Sequence, residues 1–143
     1  MRWLGVALVL GVVSMVPWQI GVPKRSVVVQ VGDLVVRAEV ARTVDEQVRG
    51  LAGHASLGPT DGMLFPYDPP AEPTFWMRGV DFPIDLIWIR EERVTGVEED
   101  MPADGGVRRY RAPSAVDAVL EVQSGFVREH GILLGDTVKI DGE

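Results

Sequence analysis

The sequence predicts a single, mainly β domain of the α+β class, made of short and mostly antiparallel strands with one or two short helices. Three observations lead to this prediction. From Ser26 onward, short apolar runs alternate with polar residues and are separated by Gly, Pro and Asp turn signals. Only two stretches combine a helix start signal with a helix stop signal. A length of 143 residues suits one domain with a terminal extension.

Residues 1–25 are predicted to form a separate N-terminal hydrophobic segment, either a membrane anchor or a signal segment. After Arg2 the chain runs without a charge to Val22. The run suits the apolar region of a signal peptide, and as a helix of about 30 Å it also suits a membrane span. The absence of a clear cleavage site favours an anchor. We therefore expect a membrane-anchored, extracytoplasmic domain over residues 26–143, or alternatively a domain secreted after cleavage.

Composition excludes several classes of function. A net charge of -7 disfavours a nucleic-acid partner, because phosphate binding needs a concentrated basic surface. The absence of cysteine excludes disulfides and thiolate metal sites. His54 and His130 are isolated from other ligand types, so we expect neither a metal site nor a cofactor. The basic run Val107–Arg111 is interpreted as a solvated strand edge or loop, although its arginines beside Tyr110 can bind an anion.

The first strands are predicted to form a hairpin. Val27–Val31 and Leu34–Val40 flank a two-residue connection, Gly32-Asp33, that is typical of a tight turn. In the second strand Arg37 alternates with apolar neighbours, which predicts one solvated face and one buried face.

A short helix is predicted next. Thr43 and Glu46 have the spacing of a capping box, and Gly53 is placed to end the helix. One side of this helix is predicted to be apolar: Val44, Val48, Leu51 and Ala52.

The middle of the chain contains a strand, a proline-rich segment and two further strands. Gly62–Phe65 is predicted as a strand, and Pro66–Pro73 as a surface loop, because prolines lack the donors that a central strand needs. This loop is either the lip of a binding groove or an inert connection. Strands are also predicted at Thr74–Arg78 and Ile84–Ile89.

Asp85 is the anomalous residue of the second of these strands, because it shares a face with apolar side chains. A carboxylate that is removed from water needs hydrogen-bond donors. We expect Asp85 to accept at least two hydrogen bonds, from turn amides or from Arg49 or Arg78.

The last third is predicted to contain an acidic loop over Glu99–Gly106, then a strand, a short helix and a final strand. Arg93–Glu98 is followed by an acidic loop, and Ala118–Gln123 has alternation that leaves Glu121 on a solvated face. Ser124 is predicted to cap a helix that ends at Gly131. The predicted final strand is Thr137–Ile140.

Six short motifs occur along the soluble part of the chain in a fixed order. They are Arg49-Gly-Leu51, Gly62-Met-Leu-Phe65, Phe75-Trp-Met77, Pro83-Ile-Asp-Leu86, Leu120-Glu-Val122 with Gly125, and Gly135-Asp136. In order and spacing they resemble an uncharacterised bacterial and archaeal family, the domain of unknown function 192. The resemblance spans roughly Leu34 to Ile140 and implies a half-open barrel, often exported or membrane-anchored, with no established activity. The chain departs from the family pattern at Ala52, His54 and Gly79-Val80.

The favoured functional hypothesis is a noncatalytic, membrane-tethered binding or accessory domain for an unknown small-molecule or protein ligand. Its groove is expected around Trp76, Arg78 and the proline-rich segment. The candidate ligand-binding residues are Trp76, Arg78, Asp85, Arg49 and Glu121.

Two alternatives remain open at this point. A hydrolase-like enzyme would use Asp85 and Glu121 as a carboxylate pair, because acids near apolar surface have raised pKa values. Such a pair must converge in one pocket. A purely structural partner-binding domain would present a flat apolar patch in place of a cleft.

Overall fold

A computed structural model describes residues 25–142 of the chain and has the predicted mainly β fold with two short helices. The elements within these residues are β1 (Ser26–Val31), β2 (Leu34–Val40), α1 (Val44–Arg49), β3 (Asp61–Ala71), β4 (Thr74–Phe75), β5 (Ile84–Arg90), β6 (Arg93–Met101), β7 (Tyr110–Arg111), β8 (Val116–Gln123), α2 (Phe126–His130) and β9 (Val138–Asp141).

Seven of the strands form one curled sheet in the order β6-β5-β8-β3-β2-β1-β9. All neighbouring strands are antiparallel except β2 and β3. The two edge strands approach each other at one end, where the Val94 amide donates to the Asp136 carbonyl at 2.9 Å and the Val138 amide to the Glu92 carbonyl at 2.8 Å. The sheet is therefore a half-barrel, as the family resemblance implied.

The predicted hairpin is confirmed. β1 and β2 pair around a turn in which Gly32 has a positive φ of 58°, a conformation that costs glycine little. Val36 and Ala38 are fully buried, whereas Arg37 is exposed. The alternation in the sequence thus specified which face of β2 packs inward.

Apolar side chains cover both faces of the sheet. An inner cluster lies inside the half-barrel and includes Ile87 and Ile89 of β5 together with Phe126 and Val127 of α2. An outer cluster lies on the opposite face. It contains Leu51, Met63, Phe65, Phe75, Met77, Val80, Ile84, Leu86, Trp88 and Val119, among others. Two-sided burial explains why β5 is apolar at almost every position.

The proline-rich segment is a strand for most of its length, so the prediction of a loop over Pro66–Pro73 is wrong as far as Ala71. β2 pairs with β3 only as far as Leu64. Beyond that point no strand of residues 25–142 pairs with this side of β3, so a proline there removes no hydrogen bond of the sheet. The pairing with β8 continues through a register shift between Pro66 and Ala71.

Helix α1 has the predicted capping box, but its apolar side does not face the core. The Thr43 side chain accepts from the Glu46 amide, and the Glu46 carboxylate accepts in return from the Thr43 amide. The helix ends at Gly50 rather than Gly53. Val44 and Val48 are 74% and 62% exposed, contrary to prediction, and Leu51, which is buried, lies beyond the end of the helix.

Helix α2 ends at Gly131 as predicted, whereas its start differs from the prediction. Gly125 occupies the cap position without a side-chain cap bond. The Ser124 hydroxyl instead donates to the Asp100 carboxylate at 2.6 Å. Asp100 belongs to β6, which continues to Met101, so the predicted acidic loop from Glu99 is a strand over its first three residues.

The predicted N-terminal anchor or signal segment lies outside the described residues, apart from Arg25. Within residues 25–142, neither helix has the length and apolar character that a membrane crossing requires.

Candidate functional site

A pocket of about 220 Å³ opens on the outer face of the half-barrel, between α1, β3, β4 and β8. We call it the Trp76 pocket. Its polar lining includes Gln47, Arg49, Thr74, Arg78 and Glu121, and its apolar and aromatic lining includes Val44, Val48, Leu51, Phe65, Tyr67, Phe75, Trp76 and Val80. Apolar walls with a few polar groups are the usual composition of a small-molecule site.

The structure brings together four of the five predicted ligand-binding residues. Arg49, Trp76, Arg78 and Glu121 all line the Trp76 pocket, although they come from three separate parts of the chain: the end of α1, the segment after β4, and β8. The fifth, Asp85, does not line it. Strand pairing explains the position of Glu121, because β8 lies between β3 and β5 in the sheet.

Glu121 is the most unusual group in the pocket. Its side chain lies across from Met63 and Leu86, and the residue is only 5% exposed. Oε2 is enclosed and has no hydrogen-bond partner within residues 25–142. Burial raises the pKa of this carboxyl from 4.5 to about 8, so the acid is largely protonated at neutral pH.

The prediction that Glu121 is solvated is wrong. The alternation correctly predicted that Glu121 and Leu120 lie on opposite faces of the sheet. However, the face of Glu121 is also covered, by the outer cluster. Tyr67 lies in the same environment. Burial, and to a smaller extent the nearby Glu121, raises the pKa of the Tyr67 hydroxyl to about 12.

Trp76 lies beside two arginines, of which Arg78 also lines the pocket. The ring of Trp76 is half-buried, and the guanidinium carbons of Arg78 and Arg109 lie 5.7 Å and 5.3 Å from its centroid. These distances are those of cation–π contacts. In the described part of the chain, neither Arg49 nor Arg78 forms a salt bridge.

Arg109 is a functional candidate that sequence reasoning missed. It belongs to the basic run that we interpreted as solvated. Pairing of β4 with β7 matches Phe75 with Tyr110 and so brings Arg109 across from Trp76. The arginines beside Tyr110 indicated a possible anion site. That Arg109 lies against Trp76 was not predictable, because it depends on the pairing of two strands of two residues each.

The loop that carries Arg109 is organised by Asp104. Its carboxylate accepts hydrogen bonds from the amides of Gly106, Val107 and Arg108 at 2.8, 3.2 and 2.9 Å. These bonds, with that from Arg108 the largest contribution, lower the pKa of Asp104. The side-chain amide of Gln47, another residue of the pocket lining, donates to the backbone carbonyls of Ala41 and Pro66 and so connects α1 to the sheet.

Asp85 has the structural role that we predicted. It is fully buried, Oδ1 accepts from the Asp100 amide and Oδ2 accepts from the Val127 amide, each at 2.9 Å. The expectation of at least two hydrogen bonds is confirmed. Both donors are backbone amides rather than Arg49 or Arg78, and they link β5 to β6 and to the start of α2.

Asp85 and Glu121 project from opposite faces of the sheet, which corrects the idea that they act as a pair. Asp85 is opposite Val122, whereas Glu121 is opposite Leu86. Val122 belongs to the inner cluster and Leu86 to the outer one. Because neighbouring residues of a strand alternate between faces, the two carboxyls cannot converge on one substrate.

Two other cavities lie near this site. The larger, about 450 Å³, shares Arg49 and Gly50 with the Trp76 pocket and extends past His54 to Arg25. The other, about 330 Å³, is lined by residues from Ser26 to Gly62. Among residues 25–142, no group of His, Asp and Glu is arranged to hold a metal ion. Of the three cavities, the Trp76 pocket contains the buried acid.

Comparisons with known proteins place the chain in one family. The family model for the domain of unknown function 192, described as an uncharacterised conserved group, matches residues 27–140. A protein of unknown function from Novosphingobium aromaticivorans is 34% identical, with a TM-score of 0.73 over 81% of this chain and 84% of its own. A proposed transcription regulator from Sinorhizobium meliloti shares the fold, with 21% identity and a TM-score of 0.75 over 82% of this chain and 95% of its own.

Among curated proteins, none matches the chain. The family match extends from β1 to β9 and includes every residue that lines the Trp76 pocket. The chain therefore belongs to the domain of unknown function 192 family.

Proposed function

We propose that this protein is a noncatalytic binding domain that holds a small ligand in the Trp76 pocket. The observation that carries the proposal is the enclosed Oε2 of Glu121, which has no partner within residues 25–142. A buried polar atom without a partner costs about 1 to 3 kcal/mol. A ligand that hydrogen-bonds to Glu121 would remove this cost on binding.

The size of the pocket supports a ligand of about one ring with its substituents. An apolar cavity of about 150 Å³ can hold benzene. The Trp76 pocket, at about 220 Å³, has room for a ring and a polar group. Phe65 and Phe75 meet edge to face at 4.9 Å and make a firm aromatic wall.

Binding is favoured over catalysis because Glu121 is the sole carboxyl group among the described residues of the lining. Acid–base catalysis on one substrate generally needs a second positioned group. Asp85 cannot supply it from the opposite face of the sheet.

We also propose that residues 1–25 tether the domain to a membrane on its extracytoplasmic side. The uncharged apolar run after Arg2 supports this part of the proposal. Recovery of the full chain in the membrane fraction is the expected result, and recovery in the soluble fraction with Met1 still attached would contradict it.

Fluorine NMR of the full chain in detergent micelles, labelled with 5-fluorotryptophan, tests the binding proposal. The chain has four tryptophans, and Trp76→Phe assigns the resonance of Trp76. Single-ring fragments of neutral, cationic and anionic character are titrated in turn. We expect at least one of them to shift the Trp76 resonance more than that of the buried Trp88. If no fragment of any class does so at millimolar concentration, the pocket is not a binding site.

A further inference from the structure

We infer that the ligand of the Trp76 pocket is a small aromatic carboxylic acid, with its carboxylate at Arg49 and Arg78 and a hydroxyl group at Glu121. This inference rests on the proposed function and deepens it by naming the class of ligand.

The charge of the pocket mouth selects an anion. The protein carries a net charge of -7, so most of its surface repels anions. At the Trp76 pocket the balance is reversed, because Arg49 and Arg78 line it and Arg109 lies against Trp76. Burial holds the pKa of Glu121 at about 8, so the one carboxyl of the lining does not cancel these positive charges at neutral pH.

The geometry of the donors favours a carboxylate. A guanidinium presents paired N–H groups that match the two oxygens of a carboxylate. Arg49 and Arg78 are exposed and form no salt bridge within the described residues, so their donors are available to a ligand. Arg111, by contrast, is engaged by Glu72 at 2.9 Å.

The base of the pocket favours a hydroxyl group on the other end of the ligand. A protonated carboxyl offers one donor and also accepts, and a hydroxyl group can satisfy both functions at once. Oε2 of Glu121 has no hydrogen-bond partner among the described residues, so it is available to such a group. Phe65 and Phe75 line the same pocket as the arginines and this buried acid, so they offer an aromatic surface to a ring that joins the two polar groups of the ligand.

The rim of the pocket is consistent with an organic rather than an inorganic anion. Val44 and Val48 line it and remain 74% and 62% exposed. Exposed apolar side chains at a cavity mouth lose contact with water when an apolar ligand covers them. A free inorganic ion would leave them uncovered.

Four probes that share a single benzene ring and differ in their polar groups test the class of ligand, by the same fluorine NMR titration of the full chain. They are 4-hydroxybenzoate, benzoate, 4-hydroxybenzamide and 4-hydroxybenzylamine. We expect 4-hydroxybenzoate to bind at least about tenfold more tightly than the neutral amide and the cationic amine, which is the effect of losing a charge-assisted hydrogen bond. We also expect it to bind several-fold more tightly than benzoate, which lacks the hydroxyl group.

Variants assign each end of the ligand. Arg49→Gln and Arg78→Gln should each reduce the preference for 4-hydroxybenzoate over 4-hydroxybenzamide. Arg90→Gln, outside the pocket, should leave the preference unchanged. Glu121→Leu should remove the advantage of 4-hydroxybenzoate over benzoate, whereas Glu121→Gln, which keeps a donor and an acceptor, should retain it.

The outcomes separate this inference from the proposed function. Equal or tighter binding of the amide or the amine at the Trp76 resonance would overturn the anionic class while leaving the binding function intact. The same holds if none of the four probes binds although other fragments do. Failure of every fragment overturns the binding function itself. The comparison of probes on the unaltered protein decides these cases even if a variant fails to fold.

Discussion

Replacement of Glu121 by glutamine is expected to raise the free energy of unfolding at pH 7 by about 3 kcal/mol. In the folded protein, burial raises the pKa of this carboxyl from 4.5 to about 8. Each unit of pKa difference corresponds to about 1.4 kcal/mol. At pH 7 the unfolded chain has already released the proton, whereas the folded chain still keeps it, and this difference favours unfolding. Glutamine has nearly the same shape and no proton to release.

The direction of the effect follows from proton linkage. Between pH 4.5 and about 8 the folded state binds more protons at Glu121 than the unfolded state, so the stability of the wild-type protein falls as pH rises. The contribution is fully present below pH 4.5 and is lost by about pH 8, where the folded carboxyl also ionises. Tyr67, also in the pocket, titrates only at about 12 and stays neutral through this range.

Urea denaturation of both proteins at several pH values between 4 and 9 measures the effect. The difference between them should be small at pH 4 and should grow to a plateau near pH 8. Glu129→Gln removes a carboxyl from an exposed position and is the matched control. A constant difference across this range would show that Glu121 is not held protonated by burial.

Replacement of Asp85 by asparagine is expected to lower the free energy of unfolding by about 1 to 3 kcal/mol. Each carboxylate oxygen of Asp85 accepts from one buried backbone amide. Asparagine has one acceptor oxygen and one donor group, so either the Asp100 amide or the Val127 amide would face another donor. The two substitutions therefore have opposite signs at neutral pH, although both replace a buried acid with its amide.

Equilibrium denaturation in urea at pH 7 measures this change as well. Asp81→Asn, at an exposed position in the connection before β5, is the matched control. An unchanged or raised midpoint for Asp85→Asn would mean that the two amide bonds do not stabilise the fold. The structural role that we assign to Asp85 would then be wrong.

A stabilising variant at Glu121 would also bear on function. Groups that lower stability are commonly retained at binding sites because their interactions are completed by a ligand. The opposite effects expected at Glu121 and Asp85 would thus distinguish a carboxyl whose hydrogen bonds are completed by a ligand from a carboxyl whose hydrogen bonds are already made within the protein.

Local features of the chain were predictable because their causes are local. Alternation set the inward face of β2, the spacing of Thr43 and Glu46 produced a capping box, and Gly131 ended α2. The hydrogen bonding of Asp85 was predictable in kind, since an acid between apolar neighbours needs donors. Its donors, the amides of Asp100 and Val127, are far away in sequence and were not predictable.

The errors share one physical cause. Alternation shows that Glu121 and Leu120 face opposite ways, but it does not show what covers each face. The proline-rich segment continues as a strand because β2 has already ended beside it. In both cases the environment of a residue depends on segments that are distant in the sequence.

From the amino-acid sequence alone, the protein is identified as a mainly β domain of its family, with Trp76, Arg78, Arg49 and Glu121 as candidates for ligand binding. Residue types, alternation and motif order suffice for that much. The folded structure was needed to show that Glu121 is buried in a pocket with these residues and that Asp85 lies on the other face of the sheet. Burial, and with it the pKa of a carboxyl, is a property of the surfaces that fold over a strand, and no single strand contains that information.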